Sequence, residues 1–215
     1  MNKTILVTTS SFGDFDQTPL NTLKDKFDRV VLNPFGRKLT ENEVQSLIMD
    51  NQPVGMIAGV EPLTSGVLRE AKYLKVISRA GIGVNNIDGQ FARDLDIIVT
   101  NTPEAPTIPV AELTVGMILS LLRQIHRTDQ NIRSGSWVRP MGQLLYGKTV
   151  GLIGCGRIGR NVATLLRSFG CNILGYDPVP NEHEHISYVS LEKLLKSSDI
   201  VSLHLPYSTE NHHLI

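Results

Sequence analysis

Three glycines with the spacing Gly-x-Gly-x-x-Gly lie at Gly154, Gly156 and Gly159. They follow an apolar run at residues 148–153 that predicts a buried strand, and they begin a helix-like segment at residues 157–169. Gly154 allows a tight turn, Gly156 lets a ligand approach the backbone, and Gly159 lets the helix pack closely on the sheet. Because helix N-terminal N–H groups attract anions, this segment predicts a diphosphate site, to which Arg157 could add a charged contact.

An acidic residue completes the pattern at Asp177, directly after a second strand-like run at residues 171–176. Its distance from the glycines suits a strand–helix–strand unit, in which such a carboxylate hydrogen-bonds the ribose hydroxyls of a dinucleotide. The same carboxylate would repel a 2′-phosphate, so the predicted cofactor is NAD rather than NADP. The alternative is a glycine-rich turn with no ligand. The cofactor site is favoured because the strand, the glycines, the helix, the second strand and the acid all appear in the expected order.

A further strand is predicted within residues 198–206, and Pro206 ends it. Since ligands bind at the carboxyl ends of parallel strands, His204 and Pro206 are expected to border the cofactor. The other interpretation of His204 is a structural histidine at a strand end. Without a family comparison, that second interpretation is preferred.

Short β-branched runs alternate with helix-like segments along the first hundred residues, which predicts right-handed βαβ units on a parallel sheet. Thr40 and Glu43 predict a capping box for a helix that runs to about Met49. The remaining predictions are strands at 4–9, 30–32, 54–58, 75–78 and 97–100, and helices at 20–27 and 63–71. Closely spaced prolines follow Asn101, and one helix is expected from Val110 to beyond residue 127, with Pro109 in its first turn.

Composition excludes several classes of function. The 215 residues carry 21 basic and 21 acidic side chains, so neither nucleic acid nor an anionic membrane surface is an expected partner. The two cysteines form no metal-type pair, the first residues lack the apolar core of a signal peptide, and a reduced cytoplasmic protein is expected. No metal site is predicted from His183, His185, His212 and His213, whose spacings come without carboxylates at a known ligand spacing.

The chain resembles the D-isomer-specific 2-hydroxyacid dehydrogenases, and within them most strongly the phosphoglycerate dehydrogenase-like members. Four blocks carry the resemblance, in family order: residues 78–88, residues 101–114, the glycine pattern through Pro178, and residues 198–206. The resemblance implies an α/β fold with a flavodoxin-like parallel-sheet substrate domain at residues 1–102. An incomplete Rossmann NAD-binding domain at 103–215 is expected to follow it. A modest departure is Asn85, which stands where the family usually has Asp.

The resemblance also implies roles for individual residues. The substrate carboxylate is expected at a loop that spans residues 79–84, and the implied substrate-binding residues are Arg79, Gly81, Ile82, Gly83 and Asn101. Arg157 and Ile158 are expected at the pyrophosphate, and His204 and Pro206 at the wall of the cofactor cleft. The region 110–137 is expected to form a homodimer interface. Alternatives are a surface ion pair for Arg79 and a purely conformational role for Gly81 and Gly83.

The family reaction transfers a hydride between NAD(H) and a 2-hydroxy or 2-keto acid. A histidine transfers the proton, and a neighbouring glutamate raises the pKa of that histidine. An arginine binds the substrate carboxylate. In the family these three residues follow the strand that carries His204, and the sequence ends at Ile215 before them. We therefore expect an NAD-dependent oxidoreductase lineage, with no catalytic residue in this chain and no activity of the chain alone. The alternatives are a non-catalytic NAD-binding or regulatory protein, and a different substrate such as formate or phosphonate.

Overall fold

The computed structural model describes residues 3–215, and the chain divides into two compact units. The first unit ends at Pro103, and the second comprises Glu104–Ile215. Each unit is built on its own parallel β-sheet, so the predicted α/β class is confirmed.

The first unit has a five-stranded sheet with the strand order β2-β1-β3-β4-β5, which is the flavodoxin-like order. Its strands are β1 (Thr4–Val7), β2 (Arg29–Leu32), β3 (Gly55–Ala58), β4 (Val76–Arg79) and β5 (Ile98–Asn101). Its helices are α1 (Thr18–Lys26), α2 (Glu41–Asn51), α3 (Ser65–Arg69) and α4 (Gly89–Asp94). The central strands are buried on both faces because helices cover both sides of such a sheet, and every residue of β1 is buried.

Local sequence explains most boundaries in this unit. The capping box predicted at Thr40 is present, with the Glu43 carboxylate accepting from the Thr40 N–H at 2.8 Å. The helix predicted at residues 63–71 is shorter, because the Thr64 hydroxyl caps it and Leu63 instead pairs with Ile87 in an isolated β-bridge. The sequence analysis missed α4, although the Asp88 carboxylate accepts from the Phe91 N–H at 3.0 Å and so marks its start.

The second unit has a four-stranded sheet with the order β8-β7-β6-β9. Its strands are β6 (Thr149–Ile153), β7 (Asn172–Tyr176), β8 (Ser187–Tyr188) and β9 (Ile200–Leu203), and all three pairings are parallel. Its helices are α5 (Thr107–Leu122), α6 (Ile125–Arg133), α7 (Arg157–Ser168) and α8 (Leu191–Ser197), followed by a 3₁₀ turn at Thr209–Asn211. This order is that of the first four strands of a Rossmann sheet.

The prediction of a single helix from residue 110 to beyond residue 127 is wrong. Two helices, α5 and α6, bend by 64° at Gln124, which has a left-handed φ of 54°. The reason is a competing hydrogen bond: the Leu122 carbonyl accepts from the Gln143 N–H at 2.8 Å. A continuing helix would need that carbonyl for the N–H four residues later. Gly142 permits the approach, since a Cβ there would lie 2.9 Å from the Leu122 oxygen.

Pro109 does lie in the first turn of α5, as predicted. Within residues 3–215, no single helix is long and apolar enough to cross a membrane, while α5 and α6 together meet the length and composition criteria as a bent pair.

Candidate functional site

The glycine turn between β6 and α7 forms the centre of the site in the second unit. Gly154 has a φ of +93°, and a Cβ there would lie 2.7 Å from the backbone carbonyl of His204. A Cβ on Gly159 would overlap the Gly154 carbonyl oxygen, so the first turn of α7 packs directly on the loop. Gly156 differs from both, because its φ is −72° and a Cβ would meet nothing within 4 Å. The space in front of Gly156 is therefore open.

The N-terminus of α7 faces this opening without a side-chain cap from any residue that the structure describes. Its first turn also carries no acidic residue. The N–H groups of that turn lack partners inside the helix, and with the helix dipole they form a favourable environment for an anion. The open space at Gly156 and these N–H groups together fit the diphosphate of a dinucleotide.

Asp177 follows β7 and has a fixed carboxylate. One oxygen accepts from the Cys155 N–H at 2.8 Å, and the other accepts from the Val179 N–H at 2.9 Å. Each carboxylate oxygen can accept a further hydrogen bond, so both stay available to ribose hydroxyls. Burial, with a further contribution from the negative charge of Asp177, raises the pKa of the Cys155 thiol to about 11. That thiol is therefore protonated at neutral pH and does not act as a nucleophile.

His204 follows β9, and its backbone N–H donates to the Ile153 carbonyl at 2.7 Å. Its Nε2 lies 3.0 Å from the Ser202 hydroxyl. Burial lowers the pKa of His204 below the usual 6.5, so its ring is neutral at pH 7. A neutral ring next to the cofactor site offers one donor and one acceptor but no charge.

These residues line one cleft of about 450 Å³. Five of the cofactor-binding residues predicted from the sequence lie on its wall: Gly154, Gly156, Asp177, His204 and Pro206. The structure places the other three differently. Arg157 lines a separate pocket with Arg160, Ile158 packs partly buried against the core of the unit, and Gly159 is buried beneath the turn.

Leu205, in the stretch from His204 to Pro206 that was expected to border the cofactor, also lines the cleft. The lining residues that were not predicted from the sequence are Tyr176, Pro178, Ser208, Glu210, Asn211 and Leu214. The side-chain N–H of Asn211 donates to the Pro206 carbonyl at 2.6 Å, and its side-chain oxygen accepts from the Ser208 N–H at 2.7 Å. Ser208 and Asn211, three residues apart, have the spacing of a capping box and could have indicated this turn.

In the first unit, strand β4 ends in a buried cation. Arg79 is only 9% exposed, so the alternative of a surface ion pair is wrong. Its guanidinium donates to the Ala80 carbonyl, and its Nε is buried with no hydrogen-bond partner among the described residues. A buried charge without compensation is costly, and a bound anion would compensate it.

The loop that follows β4 is fixed to the end of β5. Gly81 has a φ of +143°, and a Cβ there would overlap the Arg79 guanidinium, so glycine is required for conformation and for space. The Gly81 N–H donates to the Thr102 hydroxyl at 2.7 Å, and the Asn101 side chain donates to the Ile82 carbonyl at 2.7 Å. Ile82 is 36% exposed, and a Cβ on Gly83 would meet open space. Asn101 also lines a cavity of about 390 Å³ in this unit.

Comparison with known proteins identifies the family. Residues 115–215 match the D-isomer-specific 2-hydroxyacid dehydrogenase NAD-binding domain. The chain is 41% identical to D-3-phosphoglycerate dehydrogenase of Methanocaldococcus jannaschii, over 82% of this chain and 35% of that protein. It is 39% identical to hydroxypyruvate reductase of Thermotoga maritima, over 82% of this chain and 58% of that protein. The apo structure of D-lactate dehydrogenase from Escherichia coli superposes with a TM-score of 0.79 at 31% identity, covering 99% of this chain and 68% of that one.

The chain belongs to the D-isomer-specific 2-hydroxyacid dehydrogenase family. Its second unit is the NAD-binding domain of that family, as the glycine pattern and Asp177 predicted. The chain spans about a third to three-fifths of the length of these two curated relatives. The family is one of NAD-dependent oxidoreductases.

We expect Gly156→Ala to separate NAD binding from stability in this family member. The added methyl group meets no protein atom. Alanine is a poorer N-cap than glycine, but it lowers the entropy of the unfolded chain, and the two effects on stability offset each other to within about 1 kcal/mol. The melting temperature should therefore stay within about 2–4 °C of wild type. The methyl group would occupy the space for the diphosphate, so calorimetry should show NADH affinity reduced at least tenfold.

Gly159→Ala is the contrasting control from the same turn, because overpacking there should cost about 1–3 kcal/mol of stability. Wild-type NADH affinity in Gly156→Ala would mean that the diphosphate does not bind at this turn.

Asp177→Ala should weaken NADH binding by about 10- to 100-fold, since hydrogen bonds to a charged group contribute about 1.5–3 kcal/mol. It should also reduce the preference for NADH over NADPH, because the repulsion of a 2′-phosphate is lost. Fluorescence titration with both cofactors measures the two effects. Asp177→Asn retains acceptor geometry without charge, and Glu192→Gln on α8 serves as a charge-matched control. An unchanged preference in Asp177→Ala would show that this carboxylate does not contact the ribose.

Proposed function

We propose that this chain binds NAD(H) in the cleft of its second unit and a 2-hydroxy or 2-keto acid at the loop of residues 79–84 in its first unit. The function is that of an NAD-dependent D-2-hydroxyacid dehydrogenase of the phosphoglycerate dehydrogenase type. One observation carries the proposal: the open glycine turn, the uncapped N-terminus of α7 and the Asp177 carboxylate border a single cleft. Bound NAD supplies or accepts the hydride of such a reaction.

In this proposal the protein residues hold the cofactor rather than react with it. Gly154 and Gly156 admit the diphosphate, and the N–H groups of α7 bind its oxygens. Arg157 and Ile158 are the first two residues of α7, followed by Gly159, and they contribute from that helix end. Asp177 binds the ribose hydroxyls, while His204 and Pro206 form the opposite wall of the cleft.

The proposed substrate site depends on the positive charge of Arg79. Arg79 is a buried guanidinium whose Nε has no partner in the described chain, and a substrate carboxylate would compensate it. The chain around Ile82 and Gly83 supplies backbone N–H groups, while the N–H of Gly81 donates to Thr102 and Asn101 holds that loop in place. We infer a small 2-hydroxy acid as the substrate class. D-3-phosphoglycerate and hydroxypyruvate, which the names of the relatives contain, are the first compounds to test.

A second candidate function is NAD binding without catalysis by this 215-residue polypeptide. One observation favours it: His204, the histidine that lines the cleft, lies beside the Ser202 hydroxyl rather than a carboxylate. A histidine that gives a proton to a keto acid needs its pKa held up, whereas burial lowers the pKa of His204. We therefore propose that His204 binds and orients, and that the acid–base pair of the family is not formed by the described residues.

Isothermal titration and a turnover assay on the same purified polypeptide test both candidates. We expect NADH to bind and NADPH to bind at least tenfold more weakly. NADH oxidation with pyruvate, hydroxypyruvate or 3-phosphohydroxypyruvate supports the dehydrogenase function, and NADH binding without oxidation supports the non-catalytic candidate. Turnover would contradict the non-catalytic candidate and leave the dehydrogenase function standing. Failure of a folded sample to bind either NADH or NAD⁺ would contradict both.

The proposal includes a homodimer that forms through residues 110–137. Support comes from an apolar stripe on α5, where Leu113, Met117 and Leu121 recur every four residues and are each more than half exposed. Ile125 and Ile132 on α6 and the largely exposed Trp137 extend the apolar surface. Contiguous exposed apolar surface of this kind marks an interaction site, because leaving it in water is unfavourable.

Leu113→Glu combined with Leu121→Glu should convert a dimer to a monomer, because two charges would be buried across the interface at high cost. Analytical ultracentrifugation measures the mass directly. Leu195→Glu, an exposed apolar position on α8, is the control and should leave the mass unchanged. A wild-type protein that sediments as a monomer would refute the proposed interface.

A further inference from the structure

A buried carboxylate lies in the first unit, outside the residues discussed so far. Glu61 follows β3 and is only 1% exposed. Glutamates are rarely buried to this extent unless they are paired, yet no ion pair of the described residues includes Glu61. Its Oε1 instead accepts from the Thr8 hydroxyl and from the Gly59 N–H, the latter at 3.1 Å. Neutral donors from the ends of two adjacent strands, β1 and β3, therefore hold this carboxylate.

Gly59 makes room for it. A Cβ on Gly59 would lie 2.8 Å from Oε2 of Glu61, which is closer than a real Cβ contact. The Gly59 N–H also lies 3.3 Å from the Thr8 hydroxyl oxygen, so Thr8, Gly59 and Glu61 form one compact hydrogen-bonded cluster. The sequence places a residue without a side chain exactly two positions before the carboxylate that needs the space.

The segment that contains Glu61 also holds the loop after β4 at both ends. At the start of that loop, the Ala80 N–H donates to the Ala58 carbonyl at 2.9 Å. At its end, the Asn86 side chain donates to the Glu61 carbonyl at 2.7 Å and lies 3.3 Å from the Gly59 carbonyl. Leu63 continues the contact, since its N–H donates to the Asn86 carbonyl at 2.7 Å.

We propose that Glu61 is a positioning residue that fixes the segment 58–63 and, through it, the substrate loop of residues 79–84. The role in substrate binding rests on the proposed function of that loop. Removing the carboxylate leaves the Thr8 hydroxyl with the Ile57 carbonyl at 3.1 Å and the Gly59 N–H with the Thr8 hydroxyl at 3.3 Å as their acceptors. It removes the side-chain contacts that tie Glu61 to the ends of β1 and β3, and it leaves space beside Gly59, so the segment 58–63 is held less firmly. A loop that binds a carboxylate through backbone N–H groups depends on such preorganisation, because misplaced donors lose their alignment.

Hydrogen exchange of the full chain tests the positioning directly. In Glu61→Ala, amides of residues 78–88 should exchange at least tenfold faster than in wild type. Glu61→Gln retains an acceptor oxygen and should restore most of the protection. Val44→Ala, which truncates a buried side chain of α2, is the control for general destabilisation and should leave the loop amides close to wild type. Equal exchange of the loop in Glu61→Ala and Val44→Ala would overturn the proposal.

A double-mutant cycle with Gly59→Ala tests the same geometry from the other side. Gly59→Ala pushes on the Glu61 carboxylate and should accelerate loop exchange by itself. Added to Glu61→Ala, it should have little further effect, because the group it displaces is gone. Fully multiplicative effects of the two changes would overturn the coupling between Gly59 and Glu61.

Calorimetry with hydroxypyruvate in the presence of NADH connects the positioning to binding. Glu61→Ala should bind hydroxypyruvate at least tenfold more weakly, with NADH affinity within twofold of wild type. If wild type binds NADH but Glu61→Ala keeps wild-type affinity for hydroxypyruvate, the positioning role fails and the proposed function stands. If wild type binds no hydroxypyruvate, the proposed substrate function fails, and the exchange experiment still decides whether Glu61 fixes the loop.

Discussion

The second unit depends on one close approach between backbones, that of the first turn of α7 to the loop that precedes it. The Gly154 carbonyl lies against Gly159, and Gly154 itself lies against the backbone of His204 at the end of β9. No side chain fits at either contact, so β6, α7 and β9 meet with their backbones nearly touching. This approach places the free N–H groups of α7 at the carboxyl edge of the sheet, where an anion can reach them. Gly156 is under no such constraint from the protein, which leaves ligand access as the physical reason for a glycine there.

Asp177 is tied to the same arrangement. The N–H of Cys155, between the first two glycines, donates to the carboxylate, so the position of the turn and the direction of the acid are not independent. A change that moves the turn would also move this carboxylate, to which the proposed function assigns the choice between NAD and NADP. Burial beside that carboxylate also raises the pKa of the Cys155 thiol, and Cys155 therefore belongs to the packing of the site and not to its chemistry.

The extent to which sequence predicts this molecule follows from the range of the interactions involved. The glycine turn, the capping box at Thr40 and the five strands of the first unit were predictable because each depends on residues close in sequence. The break at Gln124 was not, since it requires the Leu122 carbonyl to be taken by Gln143 from a later loop. Strand β8 has two residues and carries no periodicity, so only its pairing with β7 defines it. The cluster around Glu61 likewise joins segments distant in sequence.

Two ionisable side chains are buried in the first unit, Glu61 and Arg79, and they differ in whether protein groups satisfy their hydrogen-bonding atoms. Glu61 is satisfied by a hydroxyl and a backbone N–H, whereas the Arg79 guanidinium retains a buried Nε without a partner among residues 3–215. Arg79 pairs in register with Ala58 on the neighbouring strand, three residues before Glu61, yet no ion pair between the two charges is present in that range. An internal ion pair would neutralise the cation and satisfy its donors. Because neutral donors hold Glu61, the Arg79 guanidinium has no counter-charge from that side chain, and the carboxylate of the proposed substrate would supply one.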